Sequence, residues 1–324
     1  MTDPRFYDWL WDIEDEIRAS IPMVYYHVWD NYPAPKFNLP FYSSTDMVVT
    51  ISKLTDNIVK TVAPETQRLY LPHSVDMQIF RKLPRFDIEK IKNETFGNKF
   101  TVFWNSRNAK RKMSGSVVWW FKEFLDIVGH DKAGLLMHTD PKDQNGQDLE
   151  AIIHELGLTN GEVKFSTNHG PASDLATLYN IADVTVNISD AEGFGLSVME
   201  SLACETPAIV NMTGGLQEQI TDGTNFFGVG IKPASVAVIG SQSVPYINED
   251  RVSKEDFIAA LLKMYNMTAE ERNELGRLGR NHLTENYNPE ELLPKWDELF
   301  DSILKENGSW NTRKHARWTF KEII

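Results

Sequence analysis

Glu192 and Glu200 have seven residues between them, Gly193, Phe194, Gly195 and Leu196 being the first four. An ionised carboxylate accepts two hydrogen bonds without offering a competing donor, so each glutamate suits a pair of hydroxyls. On a helix, eight residues of separation amount to about 12 Å. A glycine loop opening such a helix presents unused backbone N–H groups and the positive end of the helix dipole to an anion. Together these residues suit a ligand with hydroxyls at both ends and a charged middle. In a nucleotide-sugar, Glu192 would hold the hexose, the loop amides the diphosphate and Glu200 the ribose diol.

A second group carries the opposite charge. Asn105-Ser106-Arg107-Asn108-Ala109-Lys110-Arg111-Lys112 holds four cations and no acid. In a chain of net charge −13 that is a candidate diphosphate clamp, with the Arg107 fork and the Lys112 point charge facing a leaving diphosphate. Lys110 and Arg111 are expected to point to solvent.

These groups need a scaffold, and the chain reads as α/β. Val184 to Ile188 is a β-branched run, and Leu196, Met199, Leu202 and Ala203 follow at helical spacing. Pro207 to Val210 reads as the next strand, leading to Gly214-Gly215 and a further helix. Upstream, Asp3-Pro4 starts an expected helix whose face is Phe6, Trp9, Leu10, Ile13 and Ile17. Expected strands then lie at 23–28, 47–51 and 68–71, with a helix at 52–62. The first strand ends at His27-Val28-Trp29-Asp30-Asn31-Tyr32-Pro33, a loop at the carboxyl end where open α/β sheets bind ligands. A new βα series begins at Phe100 and runs through 163–165 and the loop Ser166-Thr167-Asn168-His169-Gly170. Residues 233–251 read as an inserted loop. Helices are expected at 254–265, 269–285, 289–304 and 312–324.

The length, 324 residues, suits two domains with ample core. The acidic balance argues against general affinity for nucleic acid or anionic membrane. No apolar run is long enough to span a bilayer, and residues 1–20 are acidic and amphipathic rather than a secretory signal, so a cytoplasmic location is expected. The single cysteine, Cys204, excludes an internal disulfide and reads as a packed thiol. The triplet Asn187-Ile188-Ser189 lies in an expected buried strand and is read as unglycosylated.

Glu192-x7-Glu200 around Gly193-Phe194-Gly195-Leu196, followed by Pro207 and Gly214-Gly215, resembles the EX7E signature of retaining GT-B glycosyltransferases of the family 4 type. Arg107 and Lys112 match that family's Arg-x4-Lys pair, and Leu71-Pro72-His73-Ser74-Val75-Asp76 resembles its interdomain crossover. The resemblance implies two Rossmann-like domains facing a cleft. Residues 1–76 would form an abbreviated first domain completed by helices from 289–324, and 77–288 a nucleotide-sugar-binding domain. It further implies metal-independent transfer of a sugar from a nucleotide-diphosphate-sugar co-substrate, with no other cofactor, to an acceptor the sequence does not name. Glu192, Arg107, Lys112 and His27 would be catalytic, with His27 facing the donor sugar. Gly193, Phe194, Gly195, Leu196, Glu200, Asn168 and His169 would bind the nucleotide-sugar, the last two beside the base.

The chain departs from that pattern in its short first domain, so a nucleotide-sugar-binding module or a partner-dependent relative is the alternative. It also places Glu205 where the family has glycine, which costs about 1 kcal/mol if the position is left-handed. A dinucleotide-dependent dehydrogenase fits poorly, because Gly193-x-Gly195 lacks the third glycine of that fingerprint. No Walker loop and no His/Cys metal spacing is present.

Overall fold

A computed structural model describes residues 3–314, which form an α/β protein with two parallel sheets. The first contains β1 (Val24–His27), β2 (Met47–Thr50) and β3 (Arg68–Tyr70) in that order. The second contains β4 (Phe100–Asn105), β5 (Ala133–His138), β6 (Val163–Ser166), β7 (Val184–Asn187), β8 (Ala208–Asn211) and β9 (Gly228–Ile231). Its spatial order is β6-β5-β4-β7-β8-β9. Sequence order therefore reverses between β4 and β7, and the crevice beyond their carboxyl ends is where doubly wound sheets bind ligands. The cationic loop follows β4 and the glycine loop follows β7, so the topology brings the two candidate groups to one place.

Strands buried on both faces read as continuous apolar runs, which is why Phe100 to Trp104 and Leu135 to Met137 are legible in sequence. One face of the second sheet packs on the helices Ser114–Val128 and Lys254–Asn266. The other face shares a core with the first sheet: Val49, Ile51 and Leu71 join Phe194, Val198, Leu216 and Leu292 in one cluster. The helix Pro289–Asn307 returns to the first sheet, where Trp296 meets Tyr26 edge-on at 5.1 Å. Beyond it Arg313 pairs with Asp46 at 2.8 Å. Residues 315–324 of the expected last helix lie outside the described residues.

Two expectations change. The N-terminal segment is not one helix but three short turns, Pro4–Tyr7, Asp8–Trp11 and Glu14–Arg18, and Phe6, Trp9 and Ile13 are exposed. The periodicity is real, but no described element covers that face. Residues 233–251 are not an irregular loop either. They form an antiparallel hairpin, β10 (Ser235–Ile239) and β11 (Ile247–Arg251), that stands over the cleft.

Candidate active site

The glycine loop is held by backbone contacts that leave no room for side chains. Gly214 has φ +51°, and a Cβ there would lie 1.8 Å from the Glu192 carbonyl oxygen, which accepts a hydrogen bond from Gly215 N at 2.9 Å. Only glycine allows that approach. Gly195 caps the helix Leu196–Ala203, and Phe194 is buried, its carbonyl accepting from Gln219 Nε2 at 2.6 Å. Leu196 is exposed. Among the described residues none accepts from the amides of Gly195, Leu196 and Ser197, so they remain available to an anion.

A cleft cavity of about 570 Å³ opens against this loop, within the usual range of ligand pockets. Glu192, Gly193, Phe194, Gly195 and Leu196 form one wall, and Val28 to Asn31, with His73, the opposite one. Lys112 Nζ donates to Glu192 Oε2, which also accepts from Ser189 Oγ at 3.4 Å. Lys112 is buried, and desolvation lowers its pKa although the Glu192 carboxylate opposes the shift. Arg111 lines the same cavity, with NH1 donating to the Ala191 carbonyl at 2.5 Å. This corrects the expectation that Arg111 points away from the site.

Glu200 lies one helical stretch further on. Tyr179 Oη donates to its Oε2 at 2.7 Å and Asn105 Nδ2 at 3.4 Å, while its other oxygen accepts from no described residue. Burial raises its pKa and the Tyr179 hydrogen bond opposes that. Asn105 in turn lines a second cavity of about 500 Å³ with Arg107, His138, Thr139, Ser166 and His169. Glu192 thus lines the cleft cavity, and Glu200 is joined to the second cavity through Asn105.

Three sequence expectations fall elsewhere. Arg107 is not beside Lys112: its guanidinium is largely exposed and binds Asp143 through Nε at 2.6 Å and NH2 at 3.2 Å. His169 borders the second cavity, whereas Asn168 is exposed and lines neither. His27 is 0% exposed, its Nε2 shares a hydrogen bond with Tyr42 Oη at 2.7 Å, and burial pushes its pKa down to about 3. It is a core residue in this structure. Side chains alternate along β1, so Tyr25 and His27 turn inward, while Val28 and Asp30 in the loop beyond it reach the cleft.

Sequence reasoning missed Asp30, His73 and Arg111. Asp30 sits among Glu192, Arg111 and Lys112, and desolvation raises its pKa. His73 meets Phe194 edge-on at 5.3 Å, and its ring Nδ1 lies 3.1 Å from Tyr26 Oη. Among the described residues, no helix is long and apolar enough to cross a membrane and no group of His, Cys, Asp and Glu is placed to hold a metal.

The two facing parallel sheets with the site at the switch point define a GT-B fold. The structure of Anabaena Alr3699/HepE in complex with UDP and glucose matches it with a TM-score of 0.67 at 16% identity, covering 87% of this chain and 72% of that one. Residues 124–243 match the family described as glycosyl transferases group 1. A D-inositol 3-phosphate glycosyltransferase of Arthrobacter sp. (strain FB24) is 38% identical over 78 residues, 24% of this chain and 18% of its own length. The GtfA subunit of the Streptococcus pneumoniae UDP-N-acetylglucosamine–peptide N-acetylglucosaminyltransferase is 25% identical over 283 residues, 87% of this chain and 50% of its own length. The chain thus spans between about a sixth and a half of the length of these curated relatives.

Proposed function

We propose that this protein transfers a sugar from a nucleotide-diphosphate-sugar to an acceptor with retention of anomeric configuration and without a metal ion. The observation that carries the reading is that Glu192 lines the cleft cavity beside unused helix amides while Glu200, on the same helix, is joined through Asn105 to the second cavity. The sugar lies against Glu192, the diphosphate against the amides of Gly195 to Ser197 with Lys112 and Arg111, and the ribose against the free oxygen of Glu200. The base enters the second cavity beside His138 and His169. One relative and a fold neighbour whose names carry UDP favour uracil as that base.

In the transfer step the bond from the anomeric carbon to the diphosphate oxygen breaks, with its electron pair leaving on the diphosphate. The acceptor oxygen bonds to the same face of that carbon, and its proton passes to the departing phosphate. Lys112 and Arg111 stabilise the charge that develops there, the role a metal ion plays in other sites. Glu192 orients the sugar.

A second reading, transfer only together with a partner chain, is favoured by one observation: the relative matched over most of this chain is named a subunit. Incubating the protein with UDP-, GDP- and ADP-sugars in EDTA, and determining the product anomer by NMR, tests the proposal. An α-donor should give an α-product in EDTA. A strict need for manganese or magnesium, or an inverted product, overturns it. Donor binding without turnover unless a partner is added supports the second reading.

A further inference from the structure

The hairpin β10–β11 has no part in holding the donor as placed above, yet it closes the cleft. Ile239, Val244, Ile247 and Glu249 line the same cavity as Glu192. The hairpin is tied down on both sides. At its base Arg251 bonds Asp190 at 2.5 Å and Glu249 at 2.6 Å, and Thr213 Oγ1 donates to Asp250 at 2.6 Å. Toward the first domain, Asn248 N donates to the Tyr32 carbonyl at 2.6 Å and Asn31 Nδ2 to the Asn248 carbonyl at 2.7 Å. Arg5 Nε donates to the Ser243 carbonyl at 2.8 Å. It is a fixed roof that spans both domains.

Under that roof and across from Glu192 stands Asp30. Its Oδ2 lies 4.0 Å from the point where a side chain on Gly193 would begin, so the carboxylate faces the glycine loop directly. The remaining lining includes Asp3, paired with Arg5 at 2.6 Å, Glu249, paired with Arg251 at 2.6 Å, and the apolar side chains of Val28, Ile51 and Val244. Arg111 also lines the cavity, near enough to Asp30 for its charge to act on that carboxyl, and it already donates to the Ala191 carbonyl. Carboxylates accept from hydroxyls, and apolar side chains cover the C–H faces of a sugar ring. A phosphate group in the same place would meet Asp30 and no cation to itself, because Arg5, Arg251 and Arg111 are already held by Asp3, Glu249 and the Ala191 carbonyl.

We infer that the space between Asp30 and the hairpin is the acceptor subsite, and that it takes an uncharged, hydroxyl-rich ring, a glycoside, rather than a phosphorylated one. Asp30 accepts from a hydroxyl next to the attacking one on the acceptor ring and so aims the attacking oxygen at the anomeric carbon, leaving the attacking hydroxyl's own proton free. The proton still leaves with the departing phosphate. This rests on the donor placement proposed above.

Saturation-transfer NMR on the full chain with UDP tests it, using the methyl α-glycosides of glucose, galactose, mannose and N-acetylglucosamine against glucose 6-phosphate. At least one methyl glycoside should receive saturation, glucose 6-phosphate should receive at least about tenfold less, and Asp30→Asn should reduce the glycoside signal by a similar factor. Glu249→Gln should reduce it as well, and it carries the test if Asp30→Asn does not fold by its thermal melt. A stronger signal from glucose 6-phosphate, no signal from any glycoside, or unchanged signals in folded variants overturns the inference while UDP still raises the melting temperature. Failure of UDP-, GDP- and ADP-sugars alike to raise it overturns the nucleotide-sugar reading beneath.

Discussion

Lys112 and Arg111 reach the cleft from consecutive positions, one buried against Glu192 and one with its guanidinium on the Ala191 carbonyl. A charge-assisted hydrogen bond to phosphate contributes about 1.5–3 kcal/mol, or about 10- to 150-fold in affinity. Lys112→Ala and Arg111→Ala should therefore each weaken UDP by that factor while barely changing uridine. Arg107→Ala should cost less, because Asp143 already holds that guanidinium away from the cleft. Calorimetry with UDP and uridine on the three variants is the check. Equal losses in all three would mean general electrostatics rather than a positioned clamp. The four-cation run was legible from composition, but which cations face the site was not. That depends on the turn after β4, where the chain passes through a left-handed Met113 at φ 58° into the next helix.

The helix Leu196–Ala203, which carries Glu200, ends in a strained position. Glu205 sits at φ 58°, in the region that suits glycine. Glu205→Gly should raise stability by about 0.5–1 kcal/mol, seen as a higher melting temperature with unchanged UDP affinity. A drop in stability would show that contacts of the Glu205 side chain outweigh the backbone strain. At this scale most of the fold was readable. The apolar runs of the second sheet and the helical spacing after Gly195 fix each strand and helix to within a few residues. The phase of β1 was not readable, because alternation says that His27 and Asp30 face opposite ways without saying which way is inward. The hairpin was missed for a related reason. Pro233, Gly240 and Pro245 read as loop punctuation, although Val236 and Val238, both exposed, alternate as in a strand between them.

The two sheets meet through a continuous core and a polar latch at Glu218. Its carboxylate accepts from Lys53 N at 3.1 Å, at the start of the helix Lys53–Val62, which follows the second strand of the first sheet. Burial pushes its pKa up to about 7, and Asp190 is raised to about 7 in the same way. A carboxyl raised in the folded state keeps its proton where the unfolded chain has released it. The folded state then binds more protons between about pH 4.5 and 7, and stability falls as pH rises through that window. Glu218→Gln should remove its share of the fall, a gain on the order of 2 kcal/mol at pH 8 that vanishes at pH 4. Denaturant melts across the window read this directly, and an unchanged slope would show that the latch does not titrate there. The short first sheet could be counted from sequence, but its shared core with the second could not, because those contacts join residues about 150 positions apart, Ile51 and Phe194 among them.

The orientation of the donor is the central claim, and calorimetry of UDP and UDP-glucose against Glu192→Gln and Glu200→Gln tests it most directly. Glu200→Gln should weaken both ligands by a similar factor, about 10- to 150-fold for one charged hydrogen-bonding contact. Glu192→Gln should leave UDP within about twofold and weaken UDP-glucose alone, because its contact is with the sugar. If Glu192→Gln cuts the affinity for bare UDP as deeply as Glu200→Gln does, the donor does not lie in this direction across the site.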